Sequence, residues 1–405
     1  VLSKNESPLS LPLHWRAQLA ATTLARVLLN IAIRMIYPFM PEFSRSLQVP
    51  QETLVFAASA RYALSTSAPL FAGLPERFGQ RRVMLFAMAL FLAAVLLAIL
   101  LPGFPSFVLL LFAASTAKNI YDPSAYSYWS ERSDYSRRGL VMALYETSWS
   151  ISFLLGMPAV GWLMARNNAH AWQYPLWMMA GLGLMATLAL SRVLQNHAHH
   201  SRQEHTAHQA PQRWRSVLTN VRVWSGLAIG FLASLANENL LVILGAWLET
   251  KFGMSLTALG FASFIIGIAE LAGEGVVMIL VDRLGKRRAV AYGLACSALA
   301  FALLHALALD LGAALLGLFV LFLTFEFTLV ATLPLMSELV PGARAQTMSL
   351  NATMLLLGRM IGALAGGFLF KHGLVWNLLL GASLNLLALA VLQWGLRGKR
   401  NAGRD

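Results

Sequence analysis

The feature that most constrains this chain is a series of apolar runs, each about twenty residues long, separated by short polar loops. A helix of that length crosses roughly 30 Å of hydrocarbon. Inside lipid, only helices and closed β-barrels bond all of their own backbone polar groups. A barrel would need shorter segments of alternating apolar and polar residues, and none recur here. We read twelve spans, at roughly 18–40, 53–74, 82–101, 105–130, 139–165, 173–192, 221–248, 256–281, 288–309, 312–337, 345–370 and 374–395. Turns such as Leu101-Pro102-Gly103 and Lys371-His372-Gly373 separate neighbours. Composition agrees, with 58% hydrophobic and 12% charged residues, where soluble chains carry roughly 25% charged.

A short basic loop occurs twice. Glu76-Arg77-Phe78-Gly79-Gln80-Arg81-Arg82 returns as Asp282-Arg283-Leu284-Gly285-Lys286-Arg287-Arg288, 206 positions later in a chain of 405. Glu131 followed by Arg138 returns as Glu338 followed by Arg344. Such an offset predicts two related halves in a membrane. The first bundle is expected over 1–192, a linker over 193–219 and the second bundle over 220–405.

Basic residues mark one side of the spans. The loops there hold Arg16, Arg77, Arg81, Arg82, Arg132, Arg137, Arg138, Arg192, Arg213, Arg215, Arg283, Lys286, Arg287, Arg288 and Arg344, as well as Lys4, Arg202, Lys399, Arg400 and Arg404. Opposite loops hold only Arg45, Arg166, Lys251 and Lys371. The positive-inside tendency predicts that both ends are cytoplasmic. It also accounts for the net charge of +13 without a nucleic-acid partner. The linker carries His197, His199, His200, His205 and His208. It reads as a solvated connector in which nothing fixes the imidazoles for a metal. The single cysteine, Cys296, allows no disulfide within the chain. The first residues read as a polar lead-in rather than a cleavable signal.

Charges inside spans are costly and usually face a cavity or a partner. Span 1 holds Arg26 and Arg34 with Asn30 between them, span 4 Lys118 and Asp122, and span 5 Glu146. Span 7 holds Glu238 between Asn237 and Asn239, span 8 Glu270 and Glu274, span 10 Glu326, and span 11 Arg359. Spans 3, 6, 9 and 12 hold none in their interiors. This period of three predicts two six-helix bundles, with those four spans facing lipid and the other eight able to line a path.

Spacing refines the picture. Arg26, Asn30 and Arg34 share one helix face, and Lys118 sits one turn from Asp122, close enough to neutralise it. Glu270 and Glu274 are like charges one turn apart, so at least one is expected to hold a proton unless a base such as Arg359 intervenes. Glu238, Glu270, Glu274 and Glu326 are therefore the proton-coupling candidates. Arg26, Asn30, Arg34, Lys118, Asp122, Tyr145, Glu146, Asn237, Glu238, Glu326 and Arg359 are the candidate cavity residues. An anionic head would suit Arg26, Arg34 and Lys118, and a cationic one Glu238 and Glu326. Tyr37, Tyr121, Tyr126, Tyr145, Trp149 and Trp247 offer stacking surfaces. Gly358, Gly362, Gly366 and Gly367 give span 11 a small-residue face for close helix approach.

The loop after span 2 resembles the major facilitator superfamily signature G-x-L-x-D-R-x-G-R-R. Here it reads Ala72-Gly73-Leu74-Pro75-Glu76-Arg77-Phe78-Gly79-Gln80-Arg81-Arg82, with Ala72 for the opening glycine. The second copy keeps Asp282, Arg283, Gly285 and Arg287 and opens on Met278. The resemblance covers essentially the whole chain. It implies an all-α fold of twelve membrane helices in two pseudo-symmetric bundles. It also implies a latch in which Glu76 caps span 11 while Arg81, Glu131 and Arg138 form an ion-pair set. Arg77, Gly79, Asp282, Arg283, Arg287, Glu338 and Arg344 complete the latch set, a charge array suited to a bistable interface. The drug:proton antiporter branch is suggested by Ser152 and Gly156-Met157-Pro158-Ala159-Val160-Gly161 in span 5. Leu111 stands near where that branch has an arginine in span 4.

No nucleotide loop, metal cluster or nucleophile motif appears, so neither an enzyme, a cofactor nor ATP drive is expected. The leading expectation is a secondary transporter that exports an amphipathic small molecule by proton coupling. The alternatives are an organic anion or zwitterion carrier (including lysolipid-like substrates), and a channel, scramblase or non-transporting receptor. The expected setting is a monomer in a bacterial inner membrane, with lipid and a small-molecule substrate as partners.

Overall fold

The computed structural model describes residues 13–71, 73–133, 135–166, 171–195 and 210–396. Ala72, the histidines of the linker and the Lys399-Arg400 end lie outside these residues. Among the described residues all regular structure is helical. Span 1 is Leu13–Arg34 and span 2 is broken into Gln51–Ser65, Ala68–Phe71 and Leu74–Phe78. Span 3 is Gln80–Leu100, span 4 Phe104–Arg132, span 5 Leu140–Met164 and span 6 Ala171–Val193. Span 7 is Val221–Phe252, span 8 Leu256–Leu284, span 9 Lys286–Leu307, span 10 Leu311–Ser337, span 11 Arg344–Phe370 and span 12 Leu374–Gly395. Among the described residues, nine of these are long and apolar enough by composition to cross a membrane. The other three are spans 1, 2 and 4, the polar or interrupted members of the first half.

Two compact units group by contact. One is Val1–Arg202 with Leu248–Gly267, and the other is Gln203–Trp247 with Ile268–Asp405. Within the first, span 3 packs on spans 4 and 6, and span 1 packs on spans 4, 5 and 6. Within the second, span 9 packs on spans 10 and 12, and span 7 packs on spans 10, 11 and 12. The pairings match after a shift of six spans, so the sequence repeat is a packing repeat. Large apolar side chains point outward from spans 3, 6, 9 and 12, including Phe86, Trp177, Leu299 and Trp376.

The glycine of the repeated loop has a structural cause in both copies. Gly79 and Gly285 turn the chain between neighbouring spans at φ +83° and +80°, a region that strains any L side chain.

Candidate functional site

Span 1 carries the centre of the first unit's polar cluster. The Arg26 guanidinium is buried and donates to Asp122 at 3.2 Å, Glu146 at 3.0 Å, Tyr126 Oη at 2.7 Å and Ser148 Oγ at 3.1 Å. Tyr126 Oη in turn donates to Glu146. Lys118 Nζ reaches the other Asp122 oxygen at 2.8 Å, one turn away as the spacing predicts. Two cations and two carboxylates are thus knitted together, with the Tyr145 ring 4.4 Å from the guanidinium carbon of Arg26.

The rest of the predicted face continues down span 5. Arg26 also donates to Tyr145 O, Asn30 to Ser148 O at 3.2 Å, and Arg34 to Trp149 O at 2.9 Å. Span 5 is irregular beside these carbonyls. It breaks at Thr147 and widens into a π-turn over Ser152–Gly156, just before Pro158. A π-turn leaves a carbonyl without its usual amide partner, and such turns recur at functional sites. Gly156 belongs to the same arrangement, because a methyl group there would lie 2.5 Å from the Ile31 side chain. Arg34 finally lies 3.5 Å from the Phe153 ring and 4.2 Å from the Trp149 ring.

A further buried cation escaped the reading of the sequence. Arg61 in span 2 is 3% exposed and donates to Tyr37 Oη at 2.6 Å. Tyr37 and Tyr62 share a hydrogen bond of 2.5 Å, and Arg61 stacks on the Tyr62 ring. A lone arginine inside an apolar run was the mark that could have found it.

In the second unit, Arg359 of span 11 meets Glu238 of span 7 at 3.4 Å. Asn237 is buried on the same turn. Asn239 is locked to span 12, where Asn377 exchanges hydrogen bonds with it and donates to Gly366 O. Glu270 and Glu326 are buried and Glu274 half-buried. A methyl group on Gly273 would lie 3.0 Å from Glu326 Cβ, so span 8 crosses span 10 closely beside Glu326.

Some of the loop charges have definite partners. Arg81 donates to Ser191 O at the end of span 6, and Arg287 donates to Gln393 O at the end of span 12. Glu131 accepts from Ser127 Oγ at 2.9 Å, and Glu338 pairs with Lys286. Glu76, Arg77, Arg138, Asp282, Arg283 and Arg344 are exposed. Arg45, between spans 1 and 2, bonds Glu42 at 2.9 Å and Glu249, near the end of span 7, at 2.7 Å. Burial alone would lower the Arg45 guanidinium, but these two carboxylates raise it above its ordinary value.

Comparisons with known proteins agree with this architecture. The sequence model described as Major Facilitator Superfamily matches residues 22–237 and 226–404. The "Uncharacterized MFS-type transporter YceJ" of Bacillus subtilis (strain 168) is 24% identical over 340 residues, covering 83% of this chain and 85% of that protein. The "Uncharacterized MFS-type transporter YwfA" of the same organism is 22% identical, with 63% of this chain matched to 62% of its length. Among solved structures, an inward-facing, unoccupied bacterial homolog of the human lysosomal transporter Spinster superposes with a TM-score of 0.78 at 13% identity, over 95% of this chain and 98% of that one. A D-xylose-proton symporter gives 0.74 at 16% identity, over 94% and 97%. The chain therefore belongs to the Major Facilitator Superfamily, as a secondary transporter and not an enzyme.

Proposed function

We propose that this transporter couples inward proton movement to export of an amphipathic small molecule, by alternating access. The carrying observation is that the spans of the second unit hold four carboxylates and a single base in their interiors. Glu238, Glu270, Glu274 and Glu326 sit inside spans 7, 8 and 10 with Arg359 as the intramembrane base of that half. A carboxylate that exchanges a proton for a substrate's polar group provides the coupling. In the first unit the charges of Arg26 and Lys118 are met by Asp122 and Glu146. Beside them, the half-buried Trp149 provides flat apolar surface, which favours an amphipathic ligand over a simple anion. The basic loops support a reading in which both ends are cytoplasmic and the bilayer is a bacterial inner membrane.

The test uses purified protein in liposomes with an imposed pH gradient. Glu238→Gln, Glu270→Gln, Glu274→Gln and Glu326→Gln are each compared with the parent for uptake of a fluorescent amphipathic cation. At least one is expected to lose gradient-driven uptake while keeping a ligand-induced rise in melting temperature. Gradient-driven uptake at parental rates in all four removes the coupling assignment.

A second reading, an organic anion or zwitterion carrier, is favoured by Arg34 stacked between Trp149 and Phe153. In that case lysolipids or organic anions would raise the melting temperature and cationic amphiphiles would not. Arg34→Gln would abolish the rise.

A further inference from the structure

The nine-residue helix Ala210–Leu218 just precedes span 7. Val217 is fully buried in an apolar cluster with Val223, Leu227, Met336 and Ala343. The turn that follows is rigid, because Asn220 Oδ1 caps span 7 by accepting from the Arg222 amide at 2.9 Å. Trp224 Nε1 also donates back to Leu218 O at 2.8 Å.

The other face of this knee is apolar and exposed. Trp214, Leu218, Val221 and Trp224 are 39%, 48%, 73% and 44% exposed. Arg215 and Arg222 are exposed among them. From 210 to 224 the chain carries Arg213, Arg215 and Arg222 and no Asp or Glu. Arg222 stands at the start of span 7 as Arg16 stands at the start of span 1, so each arginine lies where the first span of a half begins.

We propose that this knee is a docking surface for anionic phospholipid headgroups of the bilayer the chain spans. Two indoles and two short aliphatic groups on one exposed side suit the headgroup boundary, where amphipathic rings concentrate. Arginines held beside them match phosphate in charge and in hydrogen-bond geometry. A bilayer is the one partner this surface meets by construction, since span 7 begins at Val221 and enters it. The anchor at Val217 also ties the surface to Met336 and Ala343, at the loop between spans 10 and 11, so lipid composition would act on that loop.

Each arginine near an anionic membrane surface is worth roughly fivefold in association, so Arg215 and Arg222 together predict roughly 25-fold. The full chain is placed in nanodiscs of neutral phosphatidylcholine or of phosphatidylcholine with phosphatidylglycerol, and amide hydrogen exchange is followed over 210–224. Exchange is expected to slow by about an order of magnitude in the anionic discs and to recover at high salt, where charges are screened. It should also recover in Arg215→Gln/Arg222→Gln, whose span 7 and span 11 peptides exchange as in the parent and report an intact fold. Equal exchange in both lipids overturns the proposal, as does slowing that persists in the double variant. Slowing by soluble polyglutamate in neutral discs, without slowing by phosphatidylglycerol, would replace lipid with an acidic protein segment.

Discussion

Two helix seams occupy equivalent places in the two units and are built in opposite ways. In the first unit, span 1 meets span 5 through Arg26, Asn30 and Arg34, whose side chains reach Tyr145, Ser148 and Trp149 carbonyls. In the second, the positions 205 later on span 7 are Phe231, Leu235 and Asn239. There the backbone carbonyls lie directly against Gly358, Gly362 and Gly366 of span 11. Ser148, Ser152 and Gly156 hold the matching positions on span 5, offset by 210. One ancestral spacing therefore supports a seam of exchangeable side-chain hydrogen bonds and a seam of backbone contact. A side-chain bond can be handed to a ligand or a water molecule, whereas a glycine contact can only be kept or lost. The first seam suits ligand recognition, and the second suits a fixed bearing against which Glu238 and Arg359 are held.

The sharpest way to break this comparison is to remove the anion at the centre of the polar seam. In Asp122→Asn, Arg26 keeps Glu146, but Lys118 loses the carboxylate it touches. Breaking a buried pair in this way costs about 3–5 kcal/mol. The melting temperature in detergent should fall steeply and transport should vanish. Lys118→Met/Asp122→Asn should recover part of the stability, because it removes the stranded charge as well. A double variant no more stable than Asp122→Asn would mean that the cluster is not held by that pair.

The glycine seam is tested next, by the smallest possible insertion. A methyl group on residue 362 would lie 2.5 Å from Leu235 O, and backbone cannot yield as a side-chain tip can. Gly362→Ala is expected to cost about 1–3 kcal/mol, read as a drop in melting temperature. Ser152→Ala on the opposing seam removes one hydroxyl bonded to Arg34 and Trp149 O and should cost about 1 kcal/mol. It should alter ligand response more than melting. Equal losses of stability from the two changes would erase the distinction between bearing and recognition seams.

The division into spans was legible because lipid imposes it. A run of twenty apolar residues has few other places to go, and the period of three in its charges follows from which faces meet lipid. Lys118 with Asp122, and Arg26 with Asn30 and Arg34, were legible because helical spacing alone puts them together. Arg61 was equally open to that rule and was passed over within a long apolar stretch. The seams were hidden for a physical reason. Their equivalence lies in backbone positions, and Phe231-Leu235-Asn239 shares no chemistry with Arg26-Asn30-Arg34. Partners such as Tyr145 O and Ser191 O were hidden too, since every residue has a carbonyl and only a broken or ending helix leaves it open.

The smallest expected effect comes from the loop that repeats most visibly. Arg81 and Arg287 each donate to a carbonyl in the last turn of the final span of their unit. A cation there meets both unsatisfied carbonyls and the negative end of the helix dipole, worth about 0.3–1 kcal/mol at an exposed end. Arg81→Gln and Arg287→Gln should therefore loosen the ends of spans 6 and 12 by similar, small amounts, seen as faster amide exchange near Ser191 and Gln393 with melting nearly unchanged. If the arginines serve only as these caps, transport should also be nearly unchanged in both. Loss of transport in Arg81→Gln alone, with both helix ends equally loosened, would assign Arg81 a second partner during the transport cycle. That outcome would favour the latch implied by Glu76, Glu131 and Arg138, because a cap contributes the same in every conformation while a latch contributes in only one. The comparison of the two halves would then extend from the seams to the loops, with similar sequences doing different work in each.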